Sequence, residues 1–248
     1  MNGACLVTIS VSHYCEKARW ALERAGVPFE EVRHPPVLHI AHAWRAGGRR
    51  TVPVLVDEAG RFNDSSAILA HLDESLPEER RLYPSDPELR AEVERWEDRC
   101  DEVLGPHVRR FAYGHLLDHP TTPGILSEGV RSRSERVLYR LAKPLVHAMM
   151  RKAMRINPPG VARSEAKIQE VFAEVAERIA GRRYLVGERF SAADLSFAAL
   201  AAPLVVPERY GTRLPELSEL PAELLQRVEA FRAHPAGVFA LRLYEEER

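Results

Sequence analysis

The sequence predicts an α+β protein of two domains. A small N-terminal domain with a mixed sheet, in the order β-α-β-α-β-β-α, spans residues 1–77, and an all-helical domain spans residues 88–248. Three observations predict this. Short β-branched runs alternate with segments of helical period in the first part of the chain only. The stretch PEERRLYPSDP brings three prolines among dense charge, the composition of a linker, here placed at 78–87. Beyond Glu88 helical spacing dominates and no strand pattern returns. A length of 248 residues also suits one large or two modest domains.

Residues 4–10 are apolar and β-branched, as a buried strand requires, and Arg19, Trp20, Leu22 and Glu23 switch to helical period before Gly26 stops the helix. Residues 27–32, opened by Pro28, read as a second strand. A loop rich in His and Pro leads to a short helix at 40–46, closed by Gly47 and Gly48. Residues 51–56 (TVPVLV) form a third strand, and Ala59-Gly60 turns the chain into a short fourth one ending near Phe62. Asp64 opens a helix through Ala67, Ile68 and Leu72. Proline cannot donate to a ladder, so Pro53 belongs at the mouth or edge of its strand. The Val52–Pro53 bond is either trans, making Pro53 a rigid edge residue, or cis, turning the Val52 backbone outward toward an extended peptide ligand. The residues leave both readings open.

In the second domain helices are expected at 88–113, 164–180, 191–202 and 221–233, with the basic stretch 131–155 unassigned. FSAADL at 190–195 carries a capping box, with Ser191 at the N-cap, Asp194 reaching back, and Phe190 placed to staple onto Leu195. Its role is structural.

Composition narrows the function classes. A formal net charge of -1 argues against nucleic acid as a partner. Three cysteines, Cys5, Cys15 and Cys100, are too few for a disulfide scaffold and fit a reducing compartment. No basic-then-apolar leader and no run of about 18 apolar residues occurs, so a soluble cytoplasmic protein is expected. The segment 131–163 carries nine Lys and Arg against one acid, Glu135. It reads as a solvated basic face balancing the acidic run 86–102, ahead of an anionic substrate, a lid or contact with a membrane surface.

The motif at 12–22, SHYCEKARWAL, places a serine and a cysteine three apart at a strand–helix junction, where thioredoxin-type redox proteins carry two cysteines. Together with TVPVLV, the helix opening NDSSAILAHL, the linker and FSAADL, it resembles the cytosolic glutathione transferases over nearly the whole chain, nearer the serine-type theta, zeta and omega branches than alpha, mu and pi. The resemblance implies a thioredoxin-like N-terminal domain that binds glutathione as co-substrate, with no metal, and a helical domain that shapes a second-substrate pocket. Ser12 falls on the catalytic serine, while Thr8 stands near where other branches place a tyrosine. Val52, before Pro53, falls on the residue whose backbone pairs with the cysteinyl part, and Asp64-Ser65 on the pair that holds the γ-glutamyl end, although Glu or Gln is commoner at the first position. The usual Asn-Pro-x-Gly-Lys run is replaced by RAGGRRTVP. Arg50 is therefore the first candidate for the glycine carboxylate, because a guanidinium fork takes a carboxylate bidentately; Arg49, Trp44 and His39 follow. His13, Tyr14, His107 and Phe111 are assigned to the second-substrate pocket, although a helical apolar stripe also suits plain core. A homodimer is a family expectation.

A serine hydroxyl at this junction donates to a bound thiolate and forms no covalent bond, which implies conjugation of glutathione to a small hydrophobic electrophile. Cys15 is the rival catalytic residue, for a thiol reductase or peroxidase, against the simpler reading of a packed thiol. Cys5 and Cys100 are expected to be inert, and Ser10 is a secondary hydroxyl. A non-catalytic interaction module on the same fold is the remaining alternative.

Overall fold

The computed structural model describes residues 3–248. The β-branched run ACLVT forms strand β1 (Ala4–Thr8) at the centre of a four-stranded sheet ordered β2-β1-β3-β4. It pairs in parallel with β2 (Phe29–Arg33), with Ala4 opposite Phe29, and antiparallel with β3 (Val54–Val56), which pairs antiparallel with β4 (Arg61–Asn63). Helices α1 (His13–Ala25), α2 (His39–Arg45) and α3 (Ser65–Glu74) complete the expected β-α-β-α-β-β-α order. Gly26 ends α1 at φ 70, a conformation that costs a residue with a Cβ. The third strand begins at Val54 rather than Thr51. The Val52–Pro53 bond is cis, and Pro53, without an N–H, stands just outside the ladder.

The second domain is helical throughout. Asp86 caps α4 (Pro87–Arg99) by accepting from the amides of Glu88 and Leu89. The rod continues through one widened π turn (Cys100–Leu104) into α5 (Gly105–Leu116), so the helix expected at 88–113 is real but carries a bulge. After α6 (Thr122–Leu126), the unassigned basic stretch forms α7 (Arg133–Met154), capped by Ser132, whose Oγ accepts from the Glu135 amide at 3.2 Å. Helices α8 (Pro158–Arg178), α9 (Ala192–Val205), α10 (Ala222–Ala233) and α11 (Pro235–Glu246) follow. Every residue of α9 except Pro203 is buried, as an apolar, alanine-rich helix at a domain centre must be. At its start the Asp194 carboxylate accepts from the amides of Ser191 and Leu185. The final helix α11 lay beyond the sequence expectation; His234 caps it and Pro235 occupies its first turn.

The two domains share one core. Trp20 of α1 stacks on Phe190 and lies against Tyr244, and its Nε1 donates to the Glu247 carbonyl at 3.1 Å. A smaller cluster of Leu117, Leu126, Tyr139, Val146 and Met150 seats α7 on the body. Its outer face exposes Val137, Leu138, Leu141 and Leu145, with Leu141 76% exposed, so this segment is more than a solvated basic face. Among the described residues no helix is long and apolar enough to cross a membrane.

Candidate active site

The end of β1, the start of α1, the approach to β3 and the inner sides of α5 and α7 enclose a cavity of about 430 Å³. Its walls are mainly apolar, with a small set of polar groups among them, the usual composition of a ligand site.

Ser12 is one of these polar groups. It is the N-cap of α1, with φ -68 and ψ 120, and its Oγ accepts from the Cys15 amide at 3.4 Å. Capping uses an oxygen lone pair, so the hydroxyl proton remains available to a partner in the cavity. The first-turn amides of α1 have no acceptor within the helix and give the cavity beside Ser12 a positive potential.

The loop that presents Ser12 is fixed from both domains. Arg19, almost fully buried on α1, donates to the Ser10 carbonyl at 2.7 Å and engages Glu31 at 2.8 Å and Glu16 at 3.2 Å. Thr212 donates to the same Ser10 carbonyl at 3.2 Å, and Tyr210 donates to that of Val11 at 3.2 Å. Below the loop, Lys17 is fully buried between Glu97 at 2.8 Å and Asp101 at 2.7 Å, with Ser66 of α3 bonded to both Lys17 and Asp101. Burial alone would lower the Lys17 pKa, but the two carboxylates hold it above its ordinary value. This network ties α1, α3 and the π turn together behind the site.

The other residues expected in the site divide. His13, Tyr14, Arg50 and Val52 line the cavity with Ser12, as does His39. Burial first, then the charge of Arg109, lowers the His13 pKa to about 3, so the imidazole is neutral; its Nε2 is buried without a hydrogen-bond partner. The Tyr14 hydroxyl donates to the Asp101 main-chain oxygen at 2.7 Å, at the π turn. Arg50 is exposed, its carbonyl facing His39 Nε2 at 3.3 Å, and burial lowers the His39 pKa to about 4. Arg49 and Trp44 do not line the cavity, and Trp44 is 58% exposed.

Cys15 is fully buried behind the wall, and desolvation raises its thiol pKa. Burial likewise raises the thiol pKa of Cys100, and that of Cys5 in β1. Pro53, Asp64 and Ser65 lie outside the cavity wall. Asp64 caps α3 by accepting from the Ser66 amide at 2.8 Å and does so at φ 150 and ψ 145, a backbone region costly for any residue but glycine. Such strain is stored where the surrounding structure over-determines a position, commonly at ligand sites.

His107 and Phe111 require correction as pocket residues. Phe111 is fully buried against Phe231, and His107 Nδ1 faces Ser164 Oγ at 3.0 Å across the seam between α5 and α8. The apolar stripe containing Phe111 is the core face of α5, while Arg109, Ala112, Tyr113 and Leu116 on the other side meet the cavity. Arg109 is exposed and has no carboxylate partner among the described residues. Met149, Met150 and Met154 of α7 complete the apolar wall, pliable side chains suited to varied shapes. Nothing in the sequence distinguishes Arg109 from its neighbours.

The glutathione S-transferase N-terminal domain family matches residues 6–80, and the glutathione S-transferase C-terminal domain family matches residues 158–234. No curated protein matches the chain significantly in sequence. Among solved structures, the beta-etherase LigF from Sphingobium sp. strain SYK-6 is 21% identical, over 96% of this chain and 98% of that one, with a TM-score of 0.63. A glutathione S-transferase from Xanthobacter autotrophicus Py2 is 18% identical over 98% and 93%, with a TM-score of 0.61. The theta class glutathione S-transferase of the citrus canker pathogen Xanthomonas axonopodis pv. citri, with glutathione bound, is 21% identical over 98% of both chains, with a TM-score of 0.55. At these identities the likeness is one of fold.

Proposed function

Because the chain belongs to the glutathione S-transferase superfamily, we propose that it binds glutathione in its cavity beside Ser12 and transfers the thiolate to a small hydrophobic electrophile. The observation that carries this reading is Ser12, a hydroxyl at a helix N-terminus on the wall of an apolar cavity. The bound glutathione in the Xanthomonas axonopodis structure supports the choice of co-substrate.

The energetics are adequate. A thiol of ordinary pKa, about 8.5, is only a few per cent ionised at pH 7, and lowering it by about two units takes roughly 2.7 kcal/mol of preference for the thiolate. A charge-assisted hydrogen bond from Ser12 contributes about 1.5–3 kcal/mol, and the helix terminus about 0.3–1 kcal/mol. Arg109, which also lines the cavity and whose charge acts on His13 and Tyr14, adds positive potential. In this reading the Val52 backbone pairs with the cysteinyl part, Arg50 takes the glycine carboxylate, and Asp64 with Ser65 takes the γ-glutamyl end. The electrophile occupies the apolar wall of Tyr113, Leu116 and the α7 methionines. Two copies associate as a homodimer.

Burial of Cys15 favours the serine over a cysteine mechanism, because a reactive thiol must be reachable and ionised. The test is turnover of glutathione with an activated aryl halide. Ser12→Ala should lower kcat/KM by about 10- to 100-fold and raise the pKa of the bound thiol by about one to two units, while Cys15→Ser keeps activity. The reverse pattern would establish thiol chemistry at Cys15. No retention on immobilised glutathione, even with millimolar ligand, would leave the interaction module.

A further inference from the structure

The cavity is framed in part by α2, which contributes His39 and Ile40, and by α7, which contributes Met149 and Met150. Where these helices meet, at the end of β2, two imidazoles face one carboxylate. His34 Nδ1 lies 2.8 Å from Glu135 Oε2, and His42 Nε2 lies 3.2 Å from Glu135 Oε1. The rings stack with centroids 3.6 Å apart and an interplanar angle of 14°. The three potential ligand atoms all lie within 4.8 Å of one another.

We propose that His34, His42 and Glu135 bind a divalent transition-metal ion, zinc fitting best, as a clip between the N-terminal domain and α7. A tetrahedral zinc ion with ligands at about 2.0–2.2 Å sets neighbouring ligand atoms roughly 3.3 Å apart. The distances to Glu135, 2.8 and 3.2 Å, lie just below that value, so binding requires the carboxylate to draw back slightly and the two stacked rings to splay toward one ion, which is side-chain adjustment only. Two imidazole nitrogens and a carboxylate oxygen are donors that zinc accepts readily, and three protein ligands leave a fourth position for water. His42, with its side chain 31% exposed, provides the opening for that water.

The ligands sit on firm supports. The His34 amide donates to the Thr8 carbonyl at 2.9 Å, extending the β1–β2 ladder by one residue. His42 is on α2, and Glu135 is in the capped first turn of α7. The arrangement also poses a difficulty without a metal. Two stacked imidazoles share one carboxylate, and protonating both would place like charges face to face. A metal ion resolves this by taking a lone pair from each ring in its neutral form, releasing a proton from any ring charged beforehand. The inference is independent of glutathione chemistry, since none of the three ligands lines the cavity.

Cobalt(II) provides the test, because its visible spectrum reports coordination geometry directly. The full chain, freed of metal by a chelator, is titrated with cobalt(II) and then back-titrated with zinc(II). One equivalent should bind with a tetrahedral spectrum that zinc abolishes, and zinc should raise the unfolding temperature. His42→Gln and Glu135→Gln, on different elements, should each weaken cobalt affinity at least about tenfold, whereas His119→Gln, away from the cluster, should not. Circular dichroism of each variant separates lost ligation from lost folding. An absent tetrahedral spectrum in the wild-type chain, or one undiminished in both folded ligand variants, would overturn the proposal.

Discussion

The hydroxyl of Tyr14 donates to the main-chain oxygen of Asp101 at 2.7 Å, across the boundary between the two domains. A π turn opens the i→i−4 ladder of a helix, and the tyrosine fills the opening here. Burial also raises the Tyr14 pKa far above its ordinary value, so the hydroxyl stays protonated and engaged. Tyr14 thus lines the cavity without a free proton for a thiolate, leaving that role to Ser12. Tyr14→Phe is expected to cost about 1 kcal/mol of unfolding free energy and to change kcat/KM less than about threefold. Urea unfolding and the aryl halide assay measure both. A loss as large as that of Ser12→Ala would assign activation to the tyrosine.

Gly105 makes this contact possible. A Cβ built there would lie 2.3 Å from Tyr14 Oη and 2.7 Å from Cζ, so Gly105→Ala forces the ring out. Overpacking of this kind costs about 1–3 kcal/mol, more than Tyr14→Phe, which removes one bond and leaves the ring in place. Pairing Gly105→Ala with Tyr14→Leu should recover part of the loss, a coupling that a double-mutant cycle reads directly.

Arg19 governs a different part of the site. Its fork spans the Ser10 carbonyl and the carboxylates of Glu16 and Glu31, which no ammonium can reach together. Arg19→Lys therefore retains the charge and loses the geometry. The expected result is about 2 kcal/mol or more of destabilisation in urea, with kcat falling more than KM rises as Ser12 loses its fixed position. Equal loss in an Arg19→Lys, Ser12→Ala double variant and in Ser12→Ala alone would show that Arg19 acts through the serine.

What could be read from the sequence was local in the chain. The stop at Gly26, the box at Ser191 and Asp194 and the proline beside β3 each involve residues within a few positions, and each determines its own backbone. The mixed sheet followed from the order of such segments. Period failed where it was asked for direction: spacing shows that His107 and Phe111 share a face of α5, but not that this face meets α8 and the core while Arg109 meets the cavity. The pairs that matter here are remote, Lys17 with Asp101 behind the site at a separation of 84 and His34 with Glu135 in the second cluster at 101. Neither leaves a local pattern. The helix α7 was legible in principle, since Ser132 and Glu135 have capping-box spacing, yet the density of basic residues obscured it.

His13 gives the protein a dependence on acid with a definite sign. Its imidazole titrates near 6.5 in the unfolded chain and at about 3 in the folded one, because burial and then Arg109 oppose its charge. Below pH 6.5 the unfolded state takes up a proton that the folded state refuses, so stability falls as pH falls, and the loss is complete only below about 3. Above pH 6.5 both states are neutral and the term vanishes. At pH 5 it amounts to about 2 kcal/mol, from 1.5 units at 1.36 kcal/mol each. Other buried histidines add to the slope in the wild-type chain, so the measured quantity is a difference. Unfolding free energies of the wild type and His13→Gln, compared at pH 7 and pH 5, should converge by about 2 kcal/mol on acidification, the variant losing less. A parallel decline in both would place the His13 proton in solvent contact and remove the neutral imidazole from the cavity wall.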